Sequence, residues 1–144
     1  MAGYSSTPLP KKLGIKGGHR VALVSAPKGF AVVLGVLPAG ARIVKSPAGG
    51  ADVVLVFAGS RAALAEGFPR GAGAIPADGA VWACWPKKSS GVATDLVEND
   101  VRAFGLGLGL VDVKVCAVDE TWSGLKFVVR LSDRPRWTRR TKPG

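Results

Sequence analysis

The stretch LGIKGGHRVALVSAPKGF, Leu13 to Phe30, decides how the rest of the chain is read. A polar and basic lead runs into the apolar segment RVALVSA, Arg20 to Ala26, which stops at a turn holding Pro27 and Gly29. A continuous valine-rich run bounded in this way predicts a strand buried on both faces, as in a parallel sheet covered by helices. Two more runs of the same kind follow, DVVLVF over Asp52 to Phe57 and AVWACW over Ala80 to Trp85.

Between these strands the chain supplies connections. Phe30 to Leu37 is apolar throughout and fits a helix or a strand, Pro38 to Gly40 stops it, and Ala41 to Lys45 makes a short strand. Ser60 is placed to cap a helix through about Gly67, with Leu64 and Phe68 on one face, and the stretch from Pro69 to Gly79 reads as loop. Thr94 is a cap for a helix over Asp95 to Gly107, ended by Gly107 or Gly109, with Asp95 and Glu98 in its first turn. Asp112 to Val118 and Leu125 to Leu131 then form a hairpin through DETWSG. The order implies an α/β fold, a small Rossmann-like three-layer sandwich whose mostly parallel sheet ends in an antiparallel hairpin. One piece fits badly. Only SPAGGA separates the short strand at Ala41 from DVVLVF, whereas a parallel crossover takes about a dozen residues or more. Either one of the two strands is antiparallel to the other, or one element is misassigned.

Composition narrows the classes. With 144 residues and 47% hydrophobic content the chain suits one globular domain. We place that domain over residues 1–132, with a flexible arm over 1–8 and a disordered basic tail over 133–144. No apolar run reaches the roughly 18 residues of a membrane span, and the N-terminus lacks a secretory pattern, so a cytoplasmic protein is expected. Cys84 and Cys116 stand far apart in apolar segments and read as buried thiols. His19 is the single histidine, which leaves no ordinary metal site and no histidine-centred triad.

The net charge of +10 is uneven. Lys11, Lys12, Lys16 and Arg20 lead in without an acid, and the tail holds Arg130, Arg134, Arg136, Arg139, Arg140 and Lys142 against Asp133. Such ends either attract polyanions or serve as solvated, solubilising segments. Trp137 among Arg134, Arg136, Arg139, Arg140 and Lys142 makes the tail a candidate for weak, sequence-indifferent nucleic-acid binding, with the indole stacking on bases.

The candidate ligand site lies at the carboxyl ends of the strands, where open α/β sheets place ligands. WPKKSSGVATDL supplies Lys87, Lys88, Ser89 and Ser90 ahead of a helix capped by Thr94, a combination of ammoniums, hydroxyls and helix N-terminus suited to an anion. A polar loop whose hydroxyls only cap the helix has the same composition. SAPKG adds Ser25, Lys28 and Gly29 at the same edge. DETWSG adds Asp119, Glu120 and Trp122, either as a carboxylate pair beside an aromatic wall or as an ordinary hairpin connection. GLGLGLV follows a helix, not a strand, and reads as a helix end.

The lead LGIKGGHRVALV with its turn resembles the first strand of class I S-adenosylmethionine-dependent methyltransferases, whose "LxxxxGxxVLDxGxG" pattern sets an acid and glycines at the strand end. Ala22 stands where that family has leucine, Leu23 where it has the acid and Ser25 where it has the first glycine. The second acid implied after the next strand is missing too, since ARIVK is followed by Ser46. The resemblance therefore implies a shared framework with its ordinary cofactor site dismantled. A second resemblance rests on TPLPKKLGI, WPKKSSGVATDL and CAVDETWSGLKFVVR, which together are similar to a family of small bacterial proteins, largely actinobacterial, known only as a domain of unknown function. It implies a small intracellular bacterial protein and names no substrate.

These readings converge on a non-catalytic α/β module that binds a small anionic ligand or a protein partner, with no cofactor. The alternatives are a divergent S-adenosylmethionine-dependent methyltransferase, and a nucleic-acid-associated protein acting through its basic ends.

Overall fold

The computed structural model describes residues 7–138. Six strands, β1 (Arg20–Val24), β2 (Arg42–Val44), β3 (Val53–Phe57), β4 (Ala80–Pro86), β5 (Leu110–Ala117) and β6 (Trp122–Val129), form one sheet in the order β2-β1-β3-β4-β6-β5. β2, β1, β3 and β4 are mutually parallel, and β6 runs antiparallel to both β4 and β5. The expected mostly parallel α/β sheet with an antiparallel end is present. The last strand of the hairpin, however, is inserted between β4 and β5.

Alternation of side chains along the buried strands divides the core into two layers. Ala22, Val24, Val54, Val56, Val81 and Ala83 face α3 (Arg61–Ala72) and α4 (Glu98–Gly107), meeting Leu64, Phe68 and Val101. Val21, Val53, Leu55, Trp82 and Cys84 face the other way, toward α1 (Leu9–Lys12) and α2 (Phe30–Leu34), with Leu13, Ile15, Phe30 and Leu34 over them. Each fully buried Val, Leu, Ile or Phe among them contributes about 1.5–3 kcal/mol. Trp82 is wholly buried, and its indole Nε1 donates to the Leu13 carbonyl at 3.0 Å, which ties the N-terminal segment down onto the sheet.

The difficulty over SPAGGA resolves without an antiparallel strand. β2 is three residues long and stops level with Ala22, while β3 starts level with Val21. The return path is therefore almost sideways, and a 3-10 turn over Pro47–Gly49 suffices. Asp52 anchors the end of this path: its Oδ2 accepts from the Arg20 N–H and its own N–H donates to the Arg20 carbonyl.

Two helical expectations are corrected. α3 continues through Pro69 to Ala72, where loop was expected, because Gly67, Phe68, Gly71 and Ala72 are buried on its inner face while Pro69 is exposed. α4 begins at Glu98, not at Asp95. Thr94 Oγ1 accepts only the Leu96 N–H, and it is Asp100 that accepts from the Val97 N–H at the helix start. The disorder expected beyond Ser132 is not what residues 133–137 do. Leu131–Arg136 form a 3-10 helix, and Trp137 packs on the α3/α4 layer and donates from Nε1 to the Ile75 carbonyl at 2.9 Å. Residues 1–6 of the expected arm and 139–144 of the expected tail lie outside the described residues. Among the described residues, no helix is long and apolar enough to cross a membrane.

Candidate functional site

The strand order reverses at β1, since β2 lies on one side of it and β3 on the other. In open α/β sheets the crevice outside the carboxyl ends of such strands is where ligands sit. Here that crevice is bounded by the turn Ser25–Gly29 after β1 and by Ala58–Ser60 after β3. Ser25 is exposed and has φ of +56°, the single non-glycine residue among those described to adopt a left-handed backbone. That conformation costs an L-residue about 1–2 kcal/mol and is glycine's usual province. Gly29 caps α2 at φ +82°, and neither it nor Gly59 has any atom within 4 Å of where a Cβ would stand. The crevice floor is thus open on both sides.

Further along the same edge, the WPKKSSG and DETWSG turns meet directly. Pro86 pairs with Trp122, and the Lys87 N–H donates to the Thr121 carbonyl at 2.8 Å. The SAPKG turn stands two strand spacings away, about 10 Å. A row of rings spans the gap: Phe30 packs edge-on against Phe57 at 4.8 Å, and Phe57 against Trp122 at 5.1 Å. The three turns expected to share an edge do share it.

The individual side chains divide into two sets. Asp119 is structural, because its Oδ1 accepts from both the Thr121 and the Trp122 N–H at 2.8 Å and fixes the hairpin turn. Ser90 Oγ donates to the Lys87 carbonyl and accepts from the Val92 N–H, so its hydroxyl is spent within the loop. Thr94 is likewise committed to its own turn, and Trp122 to the aromatic row. Lys28, Lys88, Ser89 and Glu120 remain exposed at the edge with no hydrogen-bond or ion-pair partner among the described residues. The N-terminus of α3 is already satisfied from within. Ser60 Oγ caps α3 through the Ala63 N–H, and the Asp95 carboxylate accepts from the Arg61 N–H at 2.7 Å. This last contact is not legible in the sequence, where Asp95 reads as part of the first turn of α4.

The site of the tail changes most. Trp137 is turned into the protein, which takes its indole away from base stacking. Arg134 donates to the Val129 carbonyl, and Arg136 pairs with Asp133 at 2.8 Å. Arg139, Arg140 and Lys142 lie outside the described residues. Burial pushes the Cys84 thiol well above its ordinary range, with the Cys116 and Asp119 charges adding to the effect, and burial also raises Cys116. Neither thiol is activated as a nucleophile. Among the described residues, no three His, Cys, Asp or Glu side chains gather as a metal site would require.

Comparison with known proteins bears on this geometry. No protein-family model matches the chain, and no curated protein does. TrmN from Thermus thermophilus is 12% identical with a TM-score of 0.54, over 85% of this chain and 47% of TrmN. DhpI, solved as a complex with SAH (S-adenosylhomocysteine), is 10% identical with a TM-score of 0.55, over 86% of this chain and 83% of DhpI. The likeness is one of fold. The B. subtilis M1A22 tRNA methyltransferase TrmK is also similar, at 10% identity and a TM-score of 0.49, over 91% of this chain and 69% of TrmK. The chain spans about half the length of TrmN. The Rossmann-like architecture read from the apolar runs is the architecture of these neighbours.

Proposed function

We propose that the chain is a divergent S-adenosylmethionine-dependent methyltransferase domain, which takes its cofactor in the crevice between the ends of β1 and β3. The observation that carries the reading is the backbone at Ser25. The left-handed conformation of the turn is kept at the position where the resemblance sets a glycine, although the glycine itself is gone. A fold shared with DhpI, which was solved with SAH, supports the same reading.

The residues fit the cofactor in part. Gly29 and Gly59 leave room for a close approach, and Ser25, which adds a side chain where a glycine would stand, presents an exposed hydroxyl at the turn. No carboxylate stands ready for the ribose hydroxyls, because Leu23 is packed into the α1/α2 layer and β2 is followed by Lys45 and Ser46. The bound cofactor would supply an electrophilic methyl group. The chain's own part is to hold it against the sheet edge, with the Phe30, Phe57 and Trp122 row as one wall.

Calorimetric titration of the full chain with S-adenosylmethionine and S-adenosylhomocysteine tests this. Gly59→Leu builds a side chain out from a Cβ position that has no atom within 4 Å, so it should weaken binding at least tenfold with little change in melting temperature. Absence of binding to the wild-type chain, or equal binding by the Gly59→Leu variant, overturns the proposal.

A second reading draws on Lys28, Lys88 and Ser89, which stand at this edge without partners: a non-catalytic site for a small anion. It is favoured if pyrophosphate binds, the Lys87→Ala/Lys88→Ala variant loses that binding, and the adenosyl ligands give no heat.

A further inference from the structure

The sheet separates the charges of this chain. Every ion pair among the described residues uses an arginine: Arg61 with Asp100, Arg70 with Glu66, Arg102 with Glu98 and Asp112, and Arg136 with Asp133. No described lysine makes one. On the α1/α2 side the lysines are instead brought against each other. Lys114 of β5 stands directly opposite Lys126 of β6, a like-charge pair of the kind that destabilises a sheet. Lys12 Nζ donates to the Ala117 carbonyl at 3.0 Å, and Lys114 Nζ donates to the Lys12 carbonyl at 3.2 Å. Both ammoniums are held by neutral oxygens, so their charge is not cancelled. Lys126 is half-buried, and burial together with the Lys114 and Lys16 charges pulls its pKa below the ordinary lysine value. A groove of about 460 Å³ opens over this cluster, walled by Lys11 and Lys12 on one side and by Lys114 to Ala117 on the other. Lys87 lies close enough for its charge, with those of Lys12 and Lys114, to act on Cys116, which carries the cluster toward the carboxyl edge of the sheet.

We propose that this lysine face is a binding surface for the phosphodiester backbone of a nucleic acid. Repulsion built into the fold and left without an internal counter-charge is relieved by a polyanion. The ammoniums come from α1, the segment after it, β5 and β6, and two of them are tied to separate carbonyls. They form a spread surface suited to a chain of phosphates, whereas a single phosphate needs donors converging on one point. A lipid surface calls for large apolar side chains interleaved with the cations. Val115 is the one such residue in the groove, and the exposed Val36 lies on the opposite flank of α1, beside Pro8 and Pro10. The face is distinct from the basic tail, and it does not depend on whether the β1–β3 crevice takes an adenosyl cofactor.

Fluorescence anisotropy of the full chain with a labelled RNA hairpin and a labelled DNA duplex, in a salt series from about 50 to 200 mM, tests it. Removing one lysine that neutralises a phosphate should flatten the slope of log K against log salt by about 0.9 on duplex DNA. Lys11→Ala/Lys114→Ala should therefore flatten it by about 2 and weaken binding at least tenfold. Arg42→Ala/Arg70→Ala removes the same charge elsewhere and should leave both nearly unchanged. Lys11→Ala alone alters an exposed side chain with no hydrogen bond, so its expected slope change of about 1 cannot be attributed to misfolding. The tail is present in every variant and drops out of the comparison. A lysine double variant that binds no more weakly than the arginine control overturns the proposal. So does a wild-type chain that binds phosphatidylserine vesicles and neither nucleic acid.

Discussion

At Ser25 a side chain occupies a backbone region that belongs to glycine. The strain is local and exposed, and no hydrogen bond of the hydroxyl offsets it. Ser25→Gly should therefore raise stability by up to about 1 kcal/mol, less the extra unfolded-state entropy of glycine, seen as a higher urea midpoint at unchanged m-value. If adenosyl-ligand affinity falls in the same variant, the hydroxyl is a contact and not a remnant. Residue-scale reading of the sequence has mixed success here. It places Ser25, Lys28, Gly29, Lys87, Lys88, Ser89 and Glu120 at one edge, because strand ends are legible from where apolar runs stop. It does not distinguish Asp119, Ser90 and Thr94, whose oxygens satisfy neighbouring N–H groups, from the groups left exposed. The same residue types serve both purposes, and only the local backbone path decides.

Among the elements, α4 shows how a glycine can be required by packing and not by its torsion. A Cβ at Gly105 would fall into the ring of Phe127, which is wholly buried and itself stacked edge-on against Phe68. Gly105→Ala gains about 1 kcal/mol of helix propensity against an overpacking cost of up to about 3 kcal/mol, so it should still lose about 2 kcal/mol overall, measured by chemical denaturation. In the sequence this glycine is one of three in GLGLGLV. The run reads correctly as a helix end, with Gly107 closing α4 and Gly109 at φ +85°, but nothing in it marks Gly105 as the contact with β6. The sequence stops α3 short of Pro69 for a related reason. Proline removes one hydrogen bond, and the burial of Gly71 against Val56 and Val54 outweighs that deficit. The central strands are legible because burial on both faces demands unbroken apolar runs. The return from β2 is not, since it depends on β2 ending two residues below the top of β1.

For the molecule as a whole, the two layers differ in electrostatic character as well as in the helices that cover them. Arginines and carboxylates hold the α3/α4 side together, and unpaired lysines populate the other. That division joins residues about a hundred positions apart, so a charge count along the chain finds the basic ends and misses the face they help to build. The C-terminal segment is likewise part of the body through Trp137, which packs on the α3/α4 layer and donates to the Ile75 carbonyl. Truncation after Ser132 should therefore lower stability by about 2 kcal/mol through removal of the indole packing and hydrogen bond, and Trp137→Ala in the full chain should account for most of that loss in chemical denaturation. An unchanged denaturation midpoint for Trp137→Ala would mean that the indole contributes no stability.

The placement of β6 between β4 and β5 has a consequence for how the molecule is made. Synthesis runs from the N-terminus, so β5 leaves the ribosome with no neighbour to pair with, and the adjoining edge of β4 stays bare. Both wait for the same later segment, Trp122 to Val129, to slide into the slot and close two ladders in one step. Until then the nascent chain presents two open edges of apolar strand, the kind of surface that holding chaperones protect.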